Sequence, residues 1–489
     1  MCELSKLIDS QPPGPWPLPI IGCTHLLPRK KPWYYFEELS KTYSSPVITF
    51  WIGRNPTVWI NDAPSATELL EKKAAIYSSR PRMVVFAELT GMNQSPDPNA
   101  KVRGTNLVTM FYGERWRVHR KLTHGGVGLQ QVRKYRPFQN DESKLIAFDL
   151  LRTPEKYELL FERYAASVVS IIGFNRRIAS IEDPIITEVI AVMQRAAELN
   201  VPGKEFPMLF ETFPWLAHLP RGWFPSMFKG IGRRNRGQAF FYLLAEEAHK
   251  NDPDAPCYAN DLFREREKYD LREGDISSLA GNLFGAGSDT SASTLCTFTL
   301  ACCAFPECLP KAWEELDRVV GLHRSPSWED ESELVYTKAF VKEVFRWRSV
   351  AIIGGQPHAP VSDDVWNGYV IPKGTWTQGN VWSIHHDARQ FPDPDRFNPD
   401  RYLKDSPDYV PFPNEKGYMT FGWGRRVCSG QGLAEQGTFI TCARLLWAFN
   451  IQKALDKDGK EIPVDIFNYT YVRLSALEGL RTDIAAVMA

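Results

Sequence analysis

A glycine-rich run around Cys428 constrains the fold of this chain more than any other feature. The run reads Phe421-Gly-Trp-Gly-Arg-Arg-Val-Cys-Ser-Gly430. Glycines on both sides of a cysteine let the backbone turn tightly against a flat ligand, with amide N–H groups directed at the sulfur. Arg425, Arg426 and a helix predicted from Leu433 onward add positive charge, which favours a thiolate. We interpret Cys428 as an axial metal ligand; the alternative is a buried, inert cysteine in a turn.

Length and composition indicate one large folded enzyme. The 489 residues are 43% hydrophobic, which is enough for a sizeable core and too apolar for a disordered chain. No Gly/Ser-rich linker, charge block or internal repeat divides the sequence, so we predict one domain at 23–489 behind an N-terminal segment at 1–22. The 58 basic and 58 acidic residues leave no net charge for holding nucleic acid, and we expect no such partner.

The cysteines and the N-terminus predict an intracellular protein. The nine cysteines are odd in number and lack the paired spacing of zinc sites, as expected in a reducing compartment. The sequence has no signal peptide and no run of roughly 20 apolar residues that would form a transmembrane anchor. The proline-rich segment 11–22 is expected to be stiff and extended. Its Trp16, Ile20 and Ile21 are candidates for peripheral membrane contact or for packing against the protein body.

Hydrophobic periodicity predicts a helix-rich chain with small sheets. Two β-rich runs, 46–52 and 56–60, are separated by Gly-Arg-Asn and predict a hairpin. Helical patterns cover residues 65–73, 155–172, 185–199 and 238–250. A polar stretch between Gly91 and Thr109 is predicted to be a long loop, either a lid over a pocket or a tolerated surface insertion.

A second informative segment, 279–294, is apolar and contains three adjacent small residues. Each glycine in a helix costs up to roughly 1 kcal/mol, so their presence needs a reason. Small side chains let a helix lie close to a planar cofactor, and Thr290 can bond back to the Ala286 carbonyl and open the helix to water. The alternatives are a helix-packing face and an N-cap pair at Ser288 and Asp289. The small residues are Gly285, Ala286 and Gly287.

The cysteine run resembles the haem-binding loop of the cytochrome P-450 family, the haem-thiolate monooxygenases. The resemblance is carried by the spacing of Phe421, Gly424, Arg426, Cys428 and Gly430. It implies a mainly α fold with small β-sheets, the cytochrome P-450 fold. It also implies haem b between a long central helix and the cysteine loop, with Cys428 as the ligand of the iron.

The run Ala286-Gly-Ser-Asp-Thr290 resembles the oxygen-activating motif of the same family. By resemblance, Ala286 and Gly287 lie against the haem, Thr290 positions dioxygen and water, and Asp289 relays protons. Both polar side chains are present, which favours an oxygenase over the isomerases and dehydratases of the family.

Two later segments together resemble the buried Glu-Arg-Arg triad of the family. The first is Lys342-Glu-Val-Phe-Arg346 and the second is Phe397-Asn-Pro-Asp-Arg-Tyr402. Glu343 and Arg346 alone form an ordinary i,i+3 pair worth a few tenths of a kcal/mol. With Arg401, the resemblance implies a mutually satisfied charge cluster behind the haem loop.

The two haem propionates need cations. Trp116 and Arg120 are one helical turn apart in a run that resembles the propionate-binding helix of the family, and Arg426 is the other natural partner. His358, in Gln356-Pro-His-Ala359, is a third candidate or else a loop histidine with local hydrogen bonds.

No segment has the glycine fingerprint of a nicotinamide or flavin module, so the resemblance implies a separate NADPH-cytochrome P-450 reductase. Several basic residues form either a docking face for it or a solvated surface. They are Arg115, Arg117, Lys121, Arg133 and Lys134.

The substrate predicted by resemblance is a small hydrophobic organic molecule. Segments 351–355 and 467–471, with Phe284 and Ala286, should line an apolar distal pocket. Residues 76–83 and 367–374 resemble fungal members, which suggests tailoring of secondary metabolites at the cytosolic face of the endoplasmic reticulum or in the cytosol. A haem-free scaffold is the alternative from another functional class.

Overall fold

The structure is a computed structural model that describes most of the chain. It covers residues 8–28, 30–88, 104–188, 191, 209–220, 231–467 and 482–486, with side chains undescribed at 209, 231–238 and 482–486. Of the predicted long loop, residues 91–103 lie outside this range.

Helices account for most of the described residues. The α-helices are α1 Pro32–Thr42, α2 Ala63–Ala66, α3 Ala74–Tyr77, α4 Glu114–Val127, α5 Arg136–Arg152, α6 Tyr157–Phe174, α7 Leu209–Thr212, α8 Ile231–Asn251, α9 Tyr258–Arg264, α10 Glu273–Ala304, α11 Leu309–Val319, α12 Val335–Trp347, α13 Val381–His385 and α14 Gln431–Ala448. Short 3-10 or π turns lie at Thr24–Leu26, Thr67–Lys72, Val84–Glu88, Val132–Tyr135, Pro154–Lys156, Pro214–His218, Pro306–Cys308, Trp328–Ser332, Pro399–Tyr402 and Gly424–Arg426. The predicted helices at 65–73, 155–172 and 238–250 are confirmed, with a π turn ending the first. Of the helix predicted at 185–199, residues 185–188 and 191 are helical and the others lie outside the described residues.

Three small sheets are present among the residues that the structure describes. Strands β1 Val47–Ile52 and β2 Asn55–Ile60 form the predicted antiparallel hairpin, with Val47 opposite Ile60. Strand β5, Trp376–Gly379, extends this sheet parallel to β2, with Thr57 opposite Trp376. The other two sheets are antiparallel pairs: β3 Asp364–Trp366 with β4 Tyr369–Ile371, and β6 Phe449–Lys453 with β7 Thr482–Ala486. The predicted mainly α fold with small sheets is therefore confirmed.

Helix α10 forms the centre of the molecule. Its 32 residues are apolar around most of the helix, as expected for a helix buried on all sides. It packs against α6 and α8 on one side and against α12 and α14 on another. Asp275 caps its first turn by accepting the Arg272 N–H at 2.9 Å, which satisfies one of the free donors at a helix N-terminus. The rest of α10 lies between α6 and α8 on one side and α12 and α14 on the other.

Candidate functional site

The cysteine loop connects the end of a buried segment to helix α14. Gly422 and Gly424 have φ values of +75° and +54°, a backbone region that L side chains rarely adopt. A Cβ at Gly424 would lie 2.5 Å from the carbonyl oxygen of Leu70, so this glycine also permits close packing. The Cys428 N–H donates to the Phe421 carbonyl at 2.9 Å and closes the loop. Gly430 follows as the N-cap of α14.

The Cys428 side chain is exposed, unlike the other cysteines of the described residues. Protein surrounds the loop on its other sides, and this desolvation raises the pKa of the Cys428 thiol, against the lowering effect of the Gly430 N–H and of Arg120. Arg120 is the cation named among the main influences on the Cys428 pKa, and the expected effect of Arg425 and Arg426 on the thiolate stays a prediction.

Three buried or half-buried arginines lie close together beside this loop. Arg426 donates to the carbonyls of Ser78, Leu107 and Met110 at 2.7 to 3.0 Å. Arg120 donates to the hydroxyl of Ser429 at 2.6 Å and to the carbonyl of Val427. Arg80 donates to the carbonyls of Val108, Gln356 and Pro357 at 2.7 to 2.9 Å.

In the part of the chain that the structure describes, no carboxylate bonds to Arg80, Arg120 or Arg426. Within the described residues, every hydrogen bond of these three side chains goes to a neutral oxygen. Burial lowers the pKa of Arg80 to about 9 with help from the charge of Arg120, and burial also lowers the pKa of the other two. Buried cations without acidic partners are costly, so the cluster is suited to an acidic ligand.

Trp116 contributes a further unsatisfied group to the cluster. Its ring lies 4.4 Å from the guanidinium carbon of Arg426, and its buried indole N–H has no hydrogen-bond partner within the described residues. A buried donor without an acceptor costs roughly 1–3 kcal/mol. The predicted pair of Trp116 and Arg120 on α4 thus lies beside Arg426, and together they present free donors next to Cys428.

His358 lies at the edge of the arginine cluster. Its Nδ1–H donates to the Tyr77 carbonyl at 2.8 Å, and burial, then the charge of Arg80, lowers its pKa to about 3. In this neutral tautomer Nε2 is an acceptor and cannot donate to a carboxylate. His358 is therefore a hydrogen-bonded loop histidine, close to the second interpretation of its sequence, except that its partner is 281 positions away rather than local. The stronger donor here is Arg80, which the motifs did not identify. The only sequence signal was its place in the run Ile76-Tyr-Ser-Ser-Arg-Pro-Arg-Met83.

The middle of α10 has an opened face. The predicted back bond is present, since the Thr290 hydroxyl donates to the Ala286 carbonyl at 2.6 Å. Ala286 is exposed although most of the helix is buried, and Thr290 and Asp289 are half-buried. Asn282, one turn before Ala286, accepts a hydrogen bond from Asn106 at 3.2 Å. The loop that contains Asn106 also supplies carbonyls to Arg426, so this loop connects this face of α10 to the arginine cluster.

Two neighbours on α10 have other roles. A Cβ at Gly287 would collide with Val169 of α6, so this glycine permits the close approach of the two helices. Phe284 is fully buried and its ring lies about 6 Å from those of Phe174 and Phe241. The expectation that Phe284 lines the distal pocket is wrong, because its side chain fills the core between α6, α8 and α10.

The structure places one of the two other segments predicted to line the pocket, 351–355, and only Phe467 of the second. Gly354, with φ of +74°, lies against Trp423 and the Gly379 carbonyl, and Gly355 borders open space. Segment 351–355 therefore runs beside the cysteine loop. Phe467 is 42% exposed and its ring lies 5.4 Å from the guanidinium of Arg348, whereas residues 468–471 lie outside the described residues.

The Glu-Arg-Arg triad is assembled in the core. Glu343 is fully buried and accepts two hydrogen bonds from Arg346, each at 2.7 Å. The Arg401 Nε lies 3.4 Å from the same carboxylate, an ion-pair distance without hydrogen-bond geometry. The Asn398 N–H donates to Glu343 at 3.0 Å. Burial alone would lower the pKa of Arg346, but the charge and hydrogen bonds of Glu343 raise it.

A second buried ion cluster contains Arg115, which was predicted to belong to an exposed basic face. Arg115 donates to Asp275 at 2.6 Å, and His119 lies 3.0 Å from the other oxygen of that carboxylate. Burial alone would raise the pKa of Asp275, but these two hydrogen bonds hold it well below its usual range. Arg115 is thus a structural link between α4 and α10. The remaining basic residues of the predicted face are exposed: Arg117, Lys121, Arg133 and Lys134.

Within the described residues, no single helix meets both the length and the hydropathy that crossing a bilayer requires. One pair, Glu273–Ala304 with Pro306–Val319, meets them only jointly and is bent by 95°.

Comparison with known proteins agrees with this geometry. The family model for cytochrome P-450 matches residues 12–467. The chain is 35% identical to a cytochrome P-450 monooxygenase of Armillaria gallica, over 93% of this chain and 85% of the relative. It is 34% identical to cytochrome P-450 monooxygenase 58 of Postia placenta, over 94% and 85%, and 32% identical to cytochrome P-450 monooxygenase verL of Clonostachys rogersoniana, over 92% and 82%. The chain belongs to the cytochrome P-450 family of monooxygenases, which are haem-dependent oxidoreductases.

Proposed function

We propose that this protein inserts one oxygen atom from dioxygen into a small hydrophobic organic molecule, using electrons from a separate NADPH-cytochrome P-450 reductase. The observation that carries the proposal is a group of cations without acidic partners beside an exposed cysteine. Within the described residues, Arg80, Arg120 and Arg426 bond only to neutral oxygens, and the buried indole N–H of Trp116 has no partner. The two propionates of haem b are acids of the kind that such a cluster requires.

The residues fit haem b in a way that divides their roles. Cys428 would ligate the iron, with Arg120 and the Gly430 N–H stabilising the negative charge on sulfur. Arg80 and Arg426 would hold the propionates, and the neutral form of His358 would not. Bound in this way, a thiolate-ligated haem supplies the activation of dioxygen.

We assign proton handling to Thr290 and Asp289 of helix α10. The Thr290 hydroxyl already donates to the Ala286 carbonyl, so its lone pairs remain available to accept a hydrogen bond from water. Ala286 is exposed, so we place a water beside it on this face of α10. Asp289, the half-buried residue before Thr290, is the carboxylate that we assign to proton relay through such water.

The absorption spectrum of the reduced protein with carbon monoxide tests the proposal. We expect a strongly red-shifted Soret band in the wild-type protein and its loss in Cys428→Ala. Cys442→Ala is the matched control, because Cys442 is a fully buried cysteine on α14 outside the loop. A wild-type protein, supplied with haem, that shows only an unshifted band would refute thiolate ligation.

The reductase proposal is supported by the exposed cations beside the cysteine loop. Arg117 and Lys121 lie on α4. Arg120 of the same helix bonds to Ser429, the residue after Cys428. Basic faces of this kind steer acidic partners. Charge reversal in Lys121→Glu should slow electron transfer from the reductase severalfold at low salt. The control Lys457→Glu, at an exposed position on the β6 to β7 connection, should have no effect.

Peripheral membrane contact, at the cytosolic face of the endoplasmic reticulum, is supported by an apolar surface at the β1–β2 turn. Trp16 is 60% exposed, Ile20 57% and Trp215 61%, well above what packing in the core would leave. The Gly22 bridge to Ile52 brings the first segment to this turn, and Thr212 packs on Gly53 and brings the second. Exposed tryptophans of this kind favour a bilayer interface.

Sedimentation with phosphatidylcholine vesicles tests this contact. Replacing Trp16, Ile20 and Trp215 with serine should reduce the bound fraction, whereas the control Leu322→Ser, 68% exposed elsewhere, should not. Tailoring of a secondary metabolite is the broader role that we propose from the fungal relatives, and product analysis with candidate metabolites tests it.

A further inference from the structure

His385 connects the buried triad to the start of the cysteine loop. It is 1% exposed and ends helix α13, where its backbone carbonyl accepts a hydrogen bond from Arg346 at 2.8 Å. Its ring Nδ1 lies 3.0 Å from the Arg346 carbonyl, and its Nε2 lies 2.8 Å from the Met419 N–H. One imidazole thus bridges two backbone segments that are distant in sequence.

The two partners determine the tautomer of this ring. The Arg346 carbonyl is an acceptor, so Nδ1 must carry the proton, and the Met419 N–H is a donor, so Nε2 must offer its lone pair. Burial, then the charge of Arg346, lowers the pKa of His385 to about 3, which is consistent with the neutral form that both bonds require. The ring therefore accepts from the cysteine loop and donates to helix α12 at the same time.

Met419 is the first anchored residue of the loop. Its carbonyl accepts the Gly422 N–H at 3.1 Å and its sulfur accepts the Trp423 indole N–H at 3.1 Å. Two residues later, the Phe421 carbonyl accepts the Cys428 N–H at 2.9 Å. A short, hydrogen-bonded turn therefore connects the backbone of Met419 to Cys428, so a shift of Met419 should also shift Cys428.

We propose that His385 is a positioning residue for Cys428, acting through the backbone of Met419. This inference rests on the proposed function, in which the Cys428 thiolate ligates haem. It predicts that the acceptor at Nε2, rather than the volume of the ring or the bond at Nδ1, keeps the thiolate on the iron.

Two substitutions separate the two ring nitrogens. In His385→Gln the side-chain oxygen reaches the place of Nε2 and still accepts from Met419, whereas in His385→Asn the amide nitrogen replaces Nδ1 and Met419 has no acceptor. His386→Asn is the control, because this neighbouring buried histidine bonds to Arg348 and Trp382 and not to the loop.

The readouts are the reduced carbon monoxide spectrum over time and amide hydrogen exchange of segment 419–428. We expect His385→Asn to lose the red-shifted band about tenfold faster than His385→Gln, since one unsatisfied buried N–H is at stake. Amide exchange in segment 419–428 should be faster in His385→Asn than in His385→Gln even if the two proteins melt at the same temperature. His386→Asn should resemble the wild type in both readouts.

Equal loss of the band in both His385 variants, or equal amide exchange, would overturn the proposal. A His385→Gln protein that does not fold would also overturn it, because the acceptor is retained. Absence of the red-shifted band in the wild-type protein would instead refute the proposed function. The exchange measurement would then decide the role of His385 without reference to haem.

Discussion

Replacing Glu343 with glutamine isolates the charge at the centre of the buried triad. The side chain keeps its shape, but Arg346 and Arg401 lose the carboxylate that they share at 2.7 and 3.4 Å. Both arginines are buried, so water cannot replace the lost partner. Removing one member of a buried ion pair costs about 3–5 kcal/mol, and we expect Glu343→Gln to lower the free energy of unfolding by about that amount.

Glu315 provides a matched control in the same part of the core. It is also buried, and its carboxylate accepts the N–H groups of Tyr336 and Thr337 at 2.7 and 2.8 Å in the first turn of α12. Within the described residues it has no ion pair with a lysine or arginine. Glu315→Gln therefore leaves no stranded cation, and its expected cost is that of a weakened helix cap, about 1–2 kcal/mol.

The assay is urea denaturation followed by far-ultraviolet circular dichroism and by the Soret band. We expect the midpoint for Glu343→Gln to lie well below that for Glu315→Gln, with the Soret band lost at or before the helical signal. Equal destabilisation by the two substitutions would refute the reasoning, because the stranded charge is the difference between them.

Three further outcomes follow from the site. Arg80→Leu should release haem to apomyoglobin about tenfold faster than the wild type, because a charge-assisted bond to a propionate is lost; the exposed Arg82→Leu should not, and equal release by both would contradict the role of Arg80. Thr290→Val should increase the peroxide released per NADPH consumed severalfold, whereas Thr294→Val, which loses the same kind of back bond one turn later, should not. For Asp275→Asn, the loss of melting temperature relative to the wild type should be full above about pH 4 and should shrink as the pH falls further. The reason is that the pKa of Asp275 is depressed in the folded state, so its stabilisation is present above the unfolded pKa and is lost as the pH falls toward the folded one; a difference independent of pH from 6 to 3 would contradict this.

The parts of the site that were predictable are those in which neighbouring residues act together. The cysteine loop is one turn of chain, so its glycines and Cys428 are close in space whatever the rest of the fold does. The back bond of Thr290 is likewise an i−4 contact within one helix. Glu343 and Arg346 are one helical turn apart and pair for the same reason.

The errors concern the direction in which a side chain points. Phe284 lies on α10, the helix predicted to border the pocket, but its side chain is in the core. Most sides of a buried helix contact the core, and the sequence does not show which side faces the pocket. Arg115 belongs to a basic run, yet the packing of α4 against α10 brings it to Asp275. Arg80 was overlooked because its partners come from residues about 28 and 277 positions away.

By itself, the sequence determined the helices at 155–172 and 238–250, the β1–β2 hairpin and the tight turn of the cysteine loop, since these depend on periodicity and on contacts within a few residues. The tertiary structure alone decided which cations surround Cys428, which charges are paired in the core, and how His385 joins α12 to the loop. These features depend on burial and on contacts between distant segments. Burial makes an unpaired charge or donor costly, so the identity of each partner becomes decisive only once the chain has packed.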